Sequence, residues 1–543
     1  MEKKRLKLPV GIQTFEELRT RGYVYIDKTQ FLVELIDKGK FYFLSRPRRF
    51  GKSLTISTFD ALFSGKKELF KGFAAEDFLA RHDYQPSPVI RLDMSMVNTN
   101  KGIEGIEESI LYITNETARK LKVKLSGTKL YGILLNELIV RATEKYNQKA
   151  VILIDEYDKP YTDFVNDPDR ANDVRSVLRD YYVQIKASDE YIRFAFITGI
   201  SKFVKLGVFS TLNNLDDISM HPDYAEICGY TEDEIIRYFP DYINETANVM
   251  QISGEELIAR MRRYYNGFSF DREAMARLYN PFSTLSFFRD KDFANYWIET
   301  GKPKFIADYM KDRNLTVEQF RNFPVSKGFV RSPGDMDATP PEGFLFQSGY
   351  LTLRPGISDD LSLDYPNTEV LNSMSELLAQ NIMQDEDFTG CRSGLLKGLM
   401  TGDPDKVTGA LNRLLASTPY DDFTNAARQS ISDHDYDFTP QEWLYRSTIL
   451  AFLRGCGVVV AAEMHTNSGR ADVVVTHKCQ TWVIEIKVAY DGASAEKKAE
   501  EALSQIMDNN YAVPYPDAFC LGLGIDNEAR QVTASRCSKR VRT

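Results

Sequence analysis

The stretch FYFLSRPRRFGKSLTIS at 41–57 sets an apolar run against Gly51-Lys52-Ser53, and a helix-forming segment follows at once. A buried strand that turns through glycine into a helix leaves few folds open. It converges backbone N–H groups on the start of a helix, where an anion is favoured. Gly51 permits close backbone approach, Lys52 supplies a point charge for phosphate, and Ser53 carries a hydroxyl suited to magnesium. The general phosphate-loop pattern expects a sixth-position glycine partner at 46, where this chain has arginine. Further apolar runs at 88–94, 150–154 and 191–198 alternate with helix-like segments, among them 128–146. The expectation is an α/β fold with a parallel sheet covered by helices on both faces.

The run AVILIDEYDKP at 150–160 ends in Asp155-Glu156. An aspartate at the carboxyl end of such a strand can hold magnesium through water, and the adjacent glutamate can orient or deprotonate an attacking water. A buried strand with an acidic first loop has the same letters. A third strand, IRFAFITGISKF, ends in Thr198 and Ser201, either a γ-phosphate sensor or a simple turn.

A chain of 543 residues asks for two to four domains. The residues suggest 1–220 as a nucleotide-binding domain, 221–300 as a helical lid or winged-helix-like region, 301–436 as a mixed connection, and 437–543 as a second α/β domain. Thr231 and Glu234 form a capping-box pattern in the second part. GFLFQSGYLTL at 343–353 reads as strand-like pieces, and 369–425 reads as helical. The basic tail ARQVTASRCSKRVRT at 529–543 reads as solvated and disordered.

The six cysteines form no C-x-x-C pair, which argues against disulfide scaffolds and structural zinc. No apolar run approaches 18 residues and the first residues resemble no signal peptide, so the expectation is a cytoplasmic protein without membrane contact. A net charge of −9 argues against a chain coated in nucleic acid but leaves a local basic groove open.

The last block orders itself as helix, three strands, helix, strand. Tyr445, Ile449, Phe452 and Leu453 give its first helix a buried stripe, with Thr439 and Pro440 at the start. Strands follow at 458–464, 471–477 and 481–489, a helix after Ser494, and a strand at 518–525. Asp472 and the Glu485-Ile486-Lys487 triplet lie thirteen residues apart. Alternation points Glu485 and Lys487 to one face and Ile484, Ile486 and Val488 to the other. A hairpin can bring Asp472 beside them. Two carboxylates then offer hard oxygens to Mg²⁺ or Mn²⁺, and the lysine can stabilise charge developing on a phosphate. A solvated E-x-K strand pair is the plainer alternative. Glu463 and Gln505 are accessory candidates, and Glu442 either leans to the metal or completes a cap.

The phrases YVYIDKTQFL, FLSRPRRFGKSL, VILIDEYDKP and FITGISKF together resemble the AAA-ATPase-like family of bacterial proteins over about residues 7–220. That family's loop is R-P-R-R-F-G-K-S, so Arg46 departs from the general pattern only. The resemblance implies an ATP-binding P-loop fold, with phosphate contacts on Gly51, Lys52 and Ser53, and magnesium and water roles on Asp155 and Glu156. Arg46, Arg48 and Arg49 can complement a triphosphate or pair with acids. The expectation is that at least one touches nucleotide, with Arg46 and Arg49 as candidates beside Thr198. SGRADVVV, WVIEIKVA and ALSQIMDNNY resemble the PD-(D/E)XK phosphodiesterase nuclease superfamily over about residues 437–525. By position, this implies a catalytic set of Asp472, Glu485 and Lys487 acting on nucleic acid, DNA ahead of RNA. The combined expectation is an ATPase coupled to a metal-dependent nuclease. The alternative is a nucleotide-gated nucleic-acid- or protein-binding regulator with a silent nuclease-like domain. A homo-oligomer completed by a neighbour's arginine stays open.

Overall fold

The computed structural model describes residues 5–164, 167–200, 214–299, 310, 316–326, 328–329, 341–356, 361–383, 385–417, 440–466, 469–478, 480–490, 494–515 and 517–539. Ser201 and Thr439, both named above, lie outside them. The chain forms two compact units, Met1–Trp297 with Asn322–Glu369, and Ile298–Arg321 with Val370–Thr543. Both are discontinuous in sequence.

In the first unit a five-stranded sheet runs in the order β2-β3-β4-β1-β5, comprising β1 (Phe41–Ser45), β2 (Val89–Asp93), β3 (Ala150–Asp155), β4 (Ile192–Gly199) and the short β5 (Asp216–Asp217). All its pairings are parallel. Buried on both faces, β3 is apolar throughout until Asp155, as a central parallel strand must be. One face packs Ile106 and Ile110, Leu135 and Leu138, and Val174 and Leu178 from the helices Gly102–Lys120, Tyr131–Tyr146 and Pro168–Ala187. On the other, the rings of Phe194 and Phe196 pack tilted at 5.1 and 4.8 Å from Phe59 of the helix Lys52–Phe63. Ala195 and Ile197 point to the first face, so alternation along β4 joins both cores.

This order places β4 between β1 and β3. The carboxyl ends of the strands then line up Asp93 with Asp155, and Leu44 with Thr198. Such an edge of a parallel sheet is where ligands gather.

Beyond the sheet the 221–300 region is helical, with Glu232–Tyr238, Pro240–Met250, Gly254–Tyr265 and Pro281–Asp290. The capping box forms, with Thr231 Oγ1 accepting from the Glu234 amide and the Glu234 carboxylate accepting from the Thr231 amide. A small antiparallel sheet of β6 (Phe323–Val325), β7 (Thr352–Pro355) and β8 (Leu361–Asp364) completes the unit. The strand-like reading of 343–353 is corrected here. Pro341–Ser348 is a helix ended by Gly349 at φ +87°, and only the residues after it extend. A short run of apolar residues does not distinguish a buried strand from a helix.

The second unit carries the sheet β13-β12-β11-β10-β9, comprising β9 (Val459–Thr466), β10 (Gly469–His477), β11 (Gln480–Ala489), β12 (Phe519–Asp526) and β13 (Gln531–Lys539). β9, β10 and β11 form an antiparallel meander, and β11 pairs with β12 in parallel across the helix Ala495–Asp508. That helix lies so close that a Cβ on Gly524 would sit 1.8 Å from the Ala495 carbonyl oxygen. Tyr445, Ile449 and Phe452 of the helix Pro440–Gly455, with Leu395 and Leu411, pack on Val473, Ile484 and Ile486. The helices Thr368–Met383, Asp385–Thr401 and Pro404–Ser417 match the helical expectation up to residue 417, and 418–425 lie outside the described residues.

The tail expectation is corrected. Residues 531–539 form the edge strand β13, antiparallel to β12, with Val532 buried and Arg536 bridging Glu496 and Glu500. Interleaved basic residues hid its two-residue alternation. Among the described residues no helix is long and apolar enough to cross a membrane.

Candidate functional site

The loop after β1 is built by two left-handed residues, Arg49 at φ +68° and Gly51 at φ +99°. Gly51 caps the helix Lys52–Phe63, and nothing lies within 4 Å of where its Cβ would stand. Room therefore remains for an anion against the loop amides. Lys52 Nζ donates back across the loop to the carbonyls of Arg46 at 2.9 Å and Pro47 at 3.0 Å. Burial pulls the Lys52 ammonium below its usual range, while Asp155, Glu156 and Asp158 oppose that shift. These three acids thus face the lysine. Ser53, in the helix's first turn, is half-buried.

Asp155 is almost fully buried at the end of β3, and Thr198 Oγ1 donates to its Oδ1 at 2.7 Å. The β4 position between β1 and β3 is what lets one hydroxyl reach that carboxylate. Glu156, at φ +52°, has its carboxyl raised chiefly by burial and further by Asp155 and Asp93, with Lys52 and Arg48 pulling it down. A glutamate with raised proton affinity that feels the Lys52 and Arg48 charges suits a general base. Asp158, which the sequence reading passed over, is buried and accepts from the Ile200 amide at 3.0 Å.

The loop arginines part ways. Arg46 is 1% exposed, and its guanidinium donates to the carbonyls of Ser45, Ser219, Tyr224 and Ala225. It also stands 4.4 Å over the Phe270 ring, and burial pushes its pKa down to about 10. In this arrangement the side chain ties β1 to the segment after β5. Arg49 is exposed and rests 4.8 Å over Phe282, in the first turn of the helix Pro281–Asp290. Arg48, also exposed, lends its charge to Glu156.

In the second unit, Asp472 and Glu485 come together where the β10–β11 ladder ends at the Val473–Ile484 pair. Past that pair, side chains take over the backbone groups. The Asp472 amide donates to Glu485 Oε2 at 3.2 Å, and the Ile486 amide donates to Asp472 Oδ2 at 2.9 Å. Asp472 is 5% and Glu485 2% exposed. Burial, reinforced by the facing Asp472 charge, lifts the Glu485 carboxyl to about 8, against the pull of the Asp472 amide, Lys487 and Arg446. Lys487 is half-buried on the same face and acts electrostatically on both Glu485 and Glu501.

Two buried carboxylates side by side, with the Asp472 charge helping to raise the proton affinity of Glu485, are what a divalent cation relieves, so these donors fit Mg²⁺ or Mn²⁺. The set is small. Among the described residues no group of three or more His, Cys, Asp and Glu side chains is arranged for a metal. Glu463 lies on β9, where its side chain falls outside the described ones. Gln505 turns its amide to the Tyr511 hydroxyl at 3.5 Å, and Glu442 is half-buried in the first turn of the helix Pro440–Gly455.

Arg446 went unread in the sequence. Its Nη1 lies 3.3 Å from Asp472 Oδ1 and its Nη2 donates to the Asp472 carbonyl at 3.0 Å. A charge at 446, three residues before Ile449 and seven before Leu453, falls inside an apolar stripe, and that was the available signal.

Residues 9–209 match the family model described as predicted AAA-ATPase, and residues 440–532 match that of the PD-(D/E)XK nuclease superfamily. A protein described as an uncharacterized protein in the vnfD 5′ region of Azotobacter chroococcum mcd 1 is 32% identical over 97% of this chain and 98% of its own length. The crystal structure of Cdc6p from Pyrobaculum aerophilum aligns at 12% identity over 69% of this chain and 94% of that one. Its TM-score of 0.18 carries no weight for the fold. With its relative aligned end to end and both models matched in order, the chain belongs to a family that joins a predicted AAA-ATPase domain to a C-terminal PD-(D/E)XK nuclease superfamily domain.

Proposed function

We propose that this protein is a cytoplasmic ATPase whose nucleotide state governs a Mg²⁺- or Mn²⁺-dependent phosphodiesterase acting on DNA. The carrying observation is the meeting of Asp472 and Glu485, two buried carboxylates that replace ladder bonds with bonds to each other's strand. In the first unit the Gly51 turn and Lys52 receive the phosphates, and Ser53 and Asp155 hold magnesium. Thr198 fixes the Asp155 carboxylate, and Glu156 takes a proton from water. Arg49, exposed on the same loop, answers the nucleotide's charge. In the second unit Asp472 and Glu485 hold the cation and Lys487 stabilises charge on the phosphate. A bound divalent ion supplies Lewis acidity and a more acidic water there.

End-labelled DNA incubated with each metal, with and without ATP, tests the reading. Wild type should degrade it. D472N should lose cleavage while still binding ATP, and K52A should lose ATP binding. Cleavage that survives in D472N refutes the site, and unchanged ATP binding by K52A refutes the loop. A second reading, a nucleotide-gated binder with a silent nuclease-like domain, is favoured by the Arg446 guanidinium on Asp472. It expects DNA to be retained but left intact.

A further inference from the structure

A buried guanidinium on a carboxylate that is to hold a divalent cation is an unusual neighbour. Asp472 has its three oxygens engaged: Oδ1 faces Arg446 Nη1 at 3.3 Å, Oδ2 accepts from the Ile486 amide at 2.9 Å, and the carbonyl accepts from Arg446 Nη2 at 3.0 Å. The Arg446 and Asp472 side chains are 5% and 6% exposed, so solvent screens the pair little. The amide on Oδ2 belongs to the backbone of β11 and is not free to leave. Arg446 sits on a different element, the helix Pro440–Gly455, and its Nη1 contact can be given up while Nη2 keeps the carbonyl.

We propose that Arg446 is a built-in competitor of the divalent cation. It neutralises Asp472 in the metal-free protein and repels the incoming ion, so the site loads only when the guanidinium releases Oδ1. This rests on the reading of Asp472 and Glu485 as cation ligands. Like charges at short range in a poorly screened site weaken binding of a doubly charged ion more than of a singly charged one. The competitor therefore sets the metal concentration at which the second unit becomes competent.

The test is Mn²⁺ binding to the nucleotide-free full chain, read by the loss of the free-ion electron paramagnetic resonance signal, with D472N subtracted to isolate this site. R446Q and R446M should bind Mn²⁺ about tenfold tighter than wild type or better, and R446K, which keeps the charge, should stay within about threefold. Folding is checked by circular dichroism. Equal or weaker Mn²⁺ binding by folded R446Q overturns the inference while leaving the metal site standing. No D472-dependent uptake by wild type or either neutral variant overturns the metal reading itself, and the inference with it. A Mn²⁺-soaked wild-type crystal tests the same point without a variant. Arg446 Nη1 should stand beyond hydrogen-bond reach of Oδ1 when the ion is bound, and an intact contact beside bound metal overturns the proposal.

Discussion

Replacing Glu485 by glutamine should change how stability depends on pH, because the folded protein holds this proton more tightly than the unfolded chain does. The carboxyl titrates near an ordinary 4.5 when unfolded and is lifted to about 8 when folded, by burial first and the Asp472 charge second. The folded state therefore keeps a proton that the unfolded state has lost. This contribution is fully present below pH 4.5 and is lost as pH rises through about 8. At about 1.4 kcal/mol per tenfold in proton affinity, the loss has a ceiling of about 5 kcal/mol. Glutamine removes the charge while its carbonyl can still accept from the Asp472 amide. Metal-free E485Q should thus match wild type near pH 5 and become progressively more stable than wild type up to pH 8.5. Urea unfolding in chelator follows this through the fluorescence of Trp482, which is fully buried against Phe519 in this unit. Saturating Mn²⁺ should cancel the disadvantage of wild type, since the cation replaces the proton. Parallel pH profiles for the two proteins would refute the reasoning and mean that Glu485 is ionised and solvated.

Three further outcomes follow from packing and hydrogen bonding. Arg46→Met leaves the buried carbonyls of Ser219, Tyr224 and Ala225 without their donor, and should destabilise the first unit by about 3–5 kcal/mol in thermal unfolding. A stable variant with tenfold weaker ATP binding would instead place Arg46 at the nucleotide. Thr198→Val removes the bond to Asp155 while keeping shape, so ATP turnover should fall about tenfold or more with ATP affinity nearly unchanged. Equal losses in both would make Thr198 a binding residue only. Gly524→Ala places a methyl group against the Ala495 carbonyl, and should cost the second unit about 2 kcal/mol or more in urea unfolding. A neutral result would mean that the helix Ala495–Asp508 docks more loosely.

Much of this architecture was legible because period and punctuation agreed. Continuous apolar runs at 41–44 and 150–154 were followed by Gly51-Lys52-Ser53 and by Asp155-Glu156, and alternation in β11 put Glu485 and Lys487 on one face. What stayed hidden depended on where a side chain turns in three dimensions. Arg46 is one residue past β1, and nothing local says that its guanidinium meets carbonyls from 219–225 instead of facing the loop. Thr198 reaches Asp155 only because β4 lies between β1 and β3, a strand order that no local pattern encodes. Basic composition outweighed alternation at β13, and Gly349 decided helix over strand at 341–348. Arg446 was visible as a charge in an apolar stripe, but its partner lay twenty-six residues on.

The claim that one chain holds two separate places where a divalent cation meets phosphate is tested most directly by anomalous scattering. Crystals of the full chain would be soaked in Mn²⁺ with a non-hydrolysable ATP analogue. The account predicts one manganese peak beside the triphosphate at Ser53 and Asp155, and another held jointly by the Asp472 and Glu485 carboxylates. Manganese at the nucleotide with none between Asp472 and Glu485, at millimolar metal and alkaline pH, would contradict it.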